Sequence, residues 1–303
     1  MKLGVLRWVV LGVVATVTIA WVVAKARRDS ADPARCAGLF AVENRCCAEG
    51  QALRAGRCEG RPSSCPAPLT VSDSGCVARP VRAEITGGAL HVGAADWEAE
   101  GRISSHDATI GTFEIDVFEI TEASYDECVV AKKCASLPMS GEPGRALGGL
   151  SRSDAEAYCA FRGGRLPTDD EWTFSAGGPN LRRYPWGDTG AVCRRGAWGL
   201  QDGPCGFEFV GPELAGAHPD GASLEGVHDL AGNVAEWVAG PPGAVGTVRG
   251  GSFRSGLATE LRAWQTRAVP VTDRVADVGA RCVYDTALQA HPAPTTEIPT
   301  AGP

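Results

Sequence analysis

The sequence predicts an α+β protein in three parts: an N-terminal apolar segment, a small disulfide-rich module, and a larger domain of short strands, capped helices and extensive loop. Three observations carry this reading. Residues 8–24 contain no charge; Cys36, Cys46, Cys47, Cys58, Cys65 and Cys76 crowd one short stretch; and beyond residue 85, alternating apolar segments between glycines lead into three helix-start signals and a long loop.

A chain of 303 residues can hold one or two domains and bury a full core. Its 12 cysteines are an even number, as disulfides require, and too many for a reducing compartment. Charge divides the chain as well. Lys2, Arg7, Lys25, Arg27 and Arg28 precede the first acidic residue, Asp29, so the remainder is strongly acidic. An acidic body whose lysines are Lys132 and Lys133 alone, with arginines scattered rather than banded, offers no footprint for nucleic acid.

The first element, residues 1–28, reads as a membrane anchor. Its uncharged run is bounded by Arg7 and Lys25, with Trp8 and Trp21 near the ends where interfacial aromatics belong. The alternative is a signal peptide cleaved at Ala24-Lys25-Ala26, giving a secreted protein. The length of the run and the lysine inside that motif favour the uncleaved anchor. The cysteines then set the body outside the cytoplasm, in the periplasm or at the cell surface. Cys36 follows Asp-Pro-Ala-Arg well past the apolar run and is no lipidation site.

The second element, residues 33–80, is rich in Gly, Pro, Ser and Ala and poor in large apolar side chains, so crosslinks must hold it. Its six cysteines make three disulfides whose connectivity the sequence does not choose. Paired C-x-x-C or His partners for zinc are missing. The module reads as a spacer or small binding knob, with Arg79-Pro80-Val81-Arg82 as the linker.

The third element, residues 85–285, opens with strand-like alternation over 87–93 and 111–120. Thr121 starts a helix with Tyr125, Cys128 and Val129 on one face and Lys132-Lys133 in its last turn. Cys128 and Cys134 are close enough to bridge across that end. Ser151-x-x-Asp154 caps a second helix carrying Ala155, Tyr158 and Cys159, and Thr168-x-x-Glu171 a third that stops at Gly177-Gly178. Some fifty residues of loop follow, which Cys193 and Cys205 can clip; a loop of that length is usually functional. Residues 286–303, dominated by Pro, Thr and Ala and without apolar periodicity, read as a disordered tail.

Five blocks in this domain carry a resemblance: Gly164-Arg165-Leu166-Pro167-Thr168-Asp169-Asp170-Glu171-Trp172, Tyr184-Pro185-Trp186-Gly187, Gly232-Asn233-Val234-Ala235-Glu236-Trp237, Arg249-Gly250-Gly251-Ser252 and Val278-Gly279-Ala280-Arg281-Cys282. Their order and spacing resemble the sulfatase-modifying-factor, or formylglycine-generating-enzyme, superfamily. The resemblance implies a C-type-lectin-like α+β fold and a Cys159 to Cys282 disulfide. It also implies an oxidation of a substrate cysteine with copper held by two cysteines after the Gly-Gly-Ser. Here Ser255 and Glu260 occupy those two positions, and Ala235 stands where the family usually has tryptophan, while Ser252 is kept. Cu(I) needs soft thiolates, so copper chemistry is not expected and the site reads as degenerate, a pseudoenzyme. The Gly-Gly-Ser then serves a tight backbone approach rather than a reaction.

Asp229, Gly232, Val234 and Glu236 match the positions of a structural Ca2+ in similar proteins, with carboxylates from the outer two and carbonyls from the inner two. The other reading has Asp229 and Glu236 capping turns or meeting arginines. His228 reads as a solvated or turn residue, and Trp172, Trp186, Trp198, Trp237 and Trp264 as packing, with one or two lining a groove. The functional expectation is a binding protein for a protein, peptide or glycan, acting through residues 184–264. Its rivals are an oxidoreductase with a diverged site and a structural component of an envelope assembly.

Overall fold

The computed structural model describes residues 40–286 apart from 43–44, 55–56, 74, 94–96, 98 and 207–210. The apolar segment 8–24, Cys36 and the tail lie outside the described residues, as does the side chain of Cys46. Among the described residues no helix is long and apolar enough to cross a membrane.

The cysteine-rich module is a set of short antiparallel pairs. Strand β1 (Phe40–Val42) pairs with β2 (Arg45–Cys47), β3 (Ala52–Arg54) with β4 (Arg57–Glu59), and β5 (Thr70–Val71) with β6 (Cys76–Val77). Disulfides Cys47–Cys58 and Cys65–Cys76 tie them together. The module is not a free spacer. Ala48, Leu69 and Cys76 form a small core completed by Leu214 of the larger domain. The linker is also shorter than expected, because Val81 already accepts a backbone bond from Val117 and Arg82 starts a strand.

The larger domain begins with a three-stranded antiparallel sheet. Strand β7 (Arg82–Ile85) flanks β10 (Phe113–Asp116), with the hairpin β8 (Gly88–Val92) and β9 (His106–Ile110) between them in sequence. Helices α1 (Glu122–Val130), α2 (Arg152–Phe161) and α3 (Asp169–Gly177) follow, each opened by a reciprocal cap at Thr121, Ser151 and Thr168. Lys132 and Lys133 fall beyond α1 rather than in its last turn. Lys132 has φ of 57°, and its N–H returns to Val129 while that of Lys133 returns to Cys128, so the chain folds back where Cys128 bridges Cys134.

The cap of α2 is also an ion pair. Arg274 donates to both oxygens of Asp154, at 2.8 and 3.0 Å, and Asp154 accepts the Ser151 N–H at 3.0 Å. Burial pushes the Asp154 carboxyl up, but the bonds from Arg274 and Ser151 outweigh it and hold the group below its ordinary range. A depressed native value stabilises the fold above the unfolded carboxylate range and ceases to do so as pH falls through the native value. Asp154→Asn should therefore melt earlier than wild type at pH 7, with the gap closing in strong acid. A gap independent of pH would contradict this.

After α3 the described residues of 178–234 form no α-helix or strand, and Cys193–Cys205 clips this stretch. It then builds a four-stranded sheet. Strand β11 (Ala235–Trp237) lies between β12 (Val245–Arg249), antiparallel to it, and β14 (Val278–Gly279), parallel to it; β13 (Thr266–Pro270) forms the outer edge beside β12. The last strand, β15 (Val283–Asp285), returns to pair with β10. Cys159–Cys282 joins α2 to the entry of that strand. Together the five described disulfides fit an oxidising, extracytoplasmic environment.

Candidate functional site

The glycine pair that ends β12 shapes the centre of the domain. Gly250 and Gly251 have φ of 88° and 69°, and a Cβ on Gly251 would lie 2.6 Å from the Glu260 carbonyl oxygen. The backbone must turn left-handed there while another strand of chain passes against it. Gly251→Ala is expected to destabilise the domain by about 2–3 kcal/mol, read as a lowered urea midpoint.

Beyond this turn lies a cavity of about 340 Å³ between β11, the end of β12, the start of β13 and the residue preceding β14. It brings together Ala235 with Ser252, Ser255 and Glu260 of the loop after β12, and adds Arg267 and Asp277. Ala235 presents only a methyl group, so the volume stays open. Ser255 Oγ accepts the Ser252 N–H at 3.1 Å, and Glu260 accepts the Leu257 N–H at 2.9 Å. Both side chains hold the loop in shape. A hydroxyl and a carboxylate in these roles do not fit Cu(I), and all described cysteines with placed sulfurs are in disulfides elsewhere. Ser252 Oγ donates to Asp277 at 2.7 Å, a carboxylate oxygen that Arg267 also approaches at 3.1 Å, and among the described residues no imidazole is bonded to it to make it a nucleophile.

Asp229, Gly232, Val234 and Glu236 lie on the adjoining loop and its continuation into β11. Gly232 is left-handed, and a Cβ there would lie 2.6 Å from the Ala197 carbonyl oxygen. Glu236 is wholly buried and paired with wholly buried Arg281. Its Oε1 accepts from Arg281 at 2.6 and 2.9 Å, and its Oε2 from Arg281 at 2.8 Å and Trp172 at 2.7 Å. Arg281 spends its other donors on the carbonyls of Asp116, Val117 and His228. Asp229 accepts the Gly216 N–H at 2.6 Å. A Glu236 carboxylate with both oxygens occupied does not fit as a calcium ligand; Arg281 supplies the positive charge from within the chain. Among the described residues no group of three or more His, Cys, Asp or Glu side chains is placed to hold a metal.

Glu119 completes this acidic centre and was not legible in the sequence. It accepts from the Val234 N–H at 3.0 Å and from the Asn233 amide. Burial first, then the charges of Asp229 and Glu236, push its carboxyl well above the usual range, with Arg281 opposing. His228, expected at a solvated turn, is instead buried against Phe118, ring centroids 5.3 Å apart. Burial drives its pKa down. Trp172 and Trp237 are fully buried and Trp198 and Trp264 nearly so, whereas Trp186 stacks on Tyr184 at 5.0 Å at the edge of the loop region.

Comparison with known proteins agrees with this geometry. Over 96 residues the chain is 42% identical to the inactive C-alpha-formylglycine-generating enzyme 2 of Bos taurus, covering 30% of this chain and 31% of that protein. It is 38% identical over 95 residues to the hercynine oxygenase of Mycolicibacterium thermoresistibile, covering 29% of this chain and 19% of that protein. The chain thus spans a third or less of the length of these curated relatives. In structure it resembles PvdO from Pseudomonas aeruginosa, with a TM-score of 0.54 at 19% identity over 68% of this chain and 95% of that one, a likeness of fold alone. Residues 76–286 match the model of the sulfatase-modifying factor enzyme 1-like domain, and the chain belongs to that family.

Proposed function

We propose that this protein is an extracytoplasmic binding module, anchored in a membrane by its N-terminal segment, whose C-type-lectin-like domain of the formylglycine-generating type has given up copper chemistry. Its ligand is a protein, peptide or glycan, taken up by the cavity and the loops of residues 184–264. One observation carries the reading: the cavity stays open while the side chains at the two thiolate positions, Ser255 and Glu260, bond to their own loop. The similarity to the inactive C-alpha-formylglycine-generating enzyme 2 supports it. The similarity to a hercynine oxygenase favours a second reading, an oxidoreductase with other residues, which would need metal ligands from outside the described residues.

Cu(I) titration of the purified protein, followed by an aldehyde assay on a cysteine-bearing sulfatase peptide, tests the first reading. Neither stoichiometric copper nor aldehyde is expected; both together would sink it. For calcium, the saturated Glu236 carboxylate leads to the expectation that EDTA leaves the melting temperature unchanged. A marked drop reversed by Ca2+ would restore calcium at Asp229, Gly232, Val234 and Glu236.

A further inference from the structure

We propose that strand β13, the outer edge of the four-stranded sheet, is a self-complementary surface through which two copies of this chain pair, antiparallel and centred on Ala268. The pairing is independent of what fills the cavity.

The register of the sheet decides which backbone groups of β13 are free. The Val238 N–H donates to the Thr247 carbonyl at 3.2 Å, so Thr247 turns its backbone toward β11. Backbone groups alternate sides along a strand, so Gly246 and Val248 turn theirs toward β13. Ala244 does the same, its carbonyl accepting the Val271 N–H at 3.0 Å. Ala268 stands opposite Thr247, Thr266 opposite Arg249 and Pro270 opposite Val245. These three residues therefore direct their backbone groups away from β12, past the end of the sheet. All three are exposed, and among the described residues the Thr266 N–H and both backbone groups of Ala268 take no backbone bond on that side.

Both ends of this edge are closed. The Thr266 carbonyl accepts from the Gln265 amide at 3.2 Å, the Pro270 carbonyl accepts the Asp273 N–H at 3.0 Å, and Pro270 has no N–H. An added strand of any other sequence would strand a carbonyl opposite Pro270, where its donor is missing. A second copy turned about a two-fold axis through Ala268 avoids this. Each Ala268 N–H then meets the other copy's Ala268 carbonyl. Thr266 falls opposite Pro270, its carbonyl already satisfied and its N–H aimed at the second lone pair of the Pro270 carbonyl. At the axis only the methyl groups of Ala268 meet. Arg267, the one charge on the strand, lies 3.1 Å from Asp277 of its own copy, so pairing brings no bare like charges together. Thr266 and Arg267 also line the cavity, so the pair would hold two cavities beside one shared edge.

The test uses the intact chain in detergent. Sedimentation over about 1–100 μM should show a monomer–dimer equilibrium, as suits a short interface. Ala268→Pro removes an outward N–H without touching the bonds to β12, and should weaken the dimer about tenfold or more while the chain still melts as a folded protein. Across a bonded antiparallel pair the Cα atoms are about 5.5 Å apart, within disulfide reach. Ala268→Cys should therefore crosslink to its counterpart on mild oxidation. Thr266→Cys should not, because its two copies would lie about 14 Å apart along the paired strands. A monomer over the whole range, association unchanged in Ala268→Pro, or crosslinking of Thr266→Cys as fast as that of Ala268→Cys would each overturn the proposal. Should Ala268→Pro fail to fold, the two cysteine variants decide.

Discussion

Arg281→Ala is expected to cost the domain about 3–5 kcal/mol, enough to leave it largely unfolded at moderate temperature. Arg281 and Glu236 are both wholly buried, and each saturates the other. Removing the guanidinium leaves Glu236 charged in an apolar interior beside Asp229 and Glu119, and leaves the carbonyls of Asp116, Val117 and His228 without their donor. A double variant separates these effects. Arg281→Met with Glu236→Gln removes both charges and keeps an acceptor for the Trp172 indole. It should be more stable than Arg281→Met alone, by about 1–3 kcal/mol of coupling. Urea unfolding of the three proteins decides the matter. A double variant no better than the single one would mean that the lost carbonyl bonds, not the stranded charge, dominate.

Replacing Cys159 and Cys282 together by serine is expected to destabilise the domain by about 5 kcal/mol on the chain-entropy model. The two cysteines are separated by 123 residues, so the crosslink closes most of the domain into one loop. Both cysteines are fully buried in the cluster that holds Tyr125, Tyr158 and Trp237, so two hydroxyls would also be buried there. By contrast, opening Cys128–Cys134, which closes a separation of 6, should cost far less. Melting curves of the two double variants compare them directly. Equal losses would contradict the loop-length account.

What could be read from the sequence was mostly local. The three helix starts lie in four-residue patterns whose donors and acceptors satisfy one another within the pattern, so Thr121, Ser151 and Thr168 were visible as caps. The end of α1 was not, because the left-handed Lys132 carries none of the usual glycine signal. Strand β9 was missed as well; His106 to Ile110 exposes most of its side chains and shows no clear alternation. At the site, Ser252, Ser255, Ala235 and Glu260 were gathered in advance only through the resemblance. Asp277 and Glu119 reach the same region by sheet topology, Asp277 through the parallel pairing of β11 with β14, and nothing near either residue announces it. The Glu236–Arg281 pair spans 45 positions, and only the choice between calcium and an arginine partner was open beforehand.

The placement of β7 and β15 on either side of β10 bears on how the domain can be attached to other things. Both run antiparallel to β10; Arg82, where the chain enters, sits opposite Asp116, and Asp285, where it leaves, opposite Phe113. At ordinary strand spacing and rise, entry and exit points are about 14 Å apart. The larger domain is thus a cassette held at one sheet, with its two ends within reach of a short linker. Such a unit can be spliced into a host protein's surface loop, or circularly permuted, while its disulfides and both sheets remain intact.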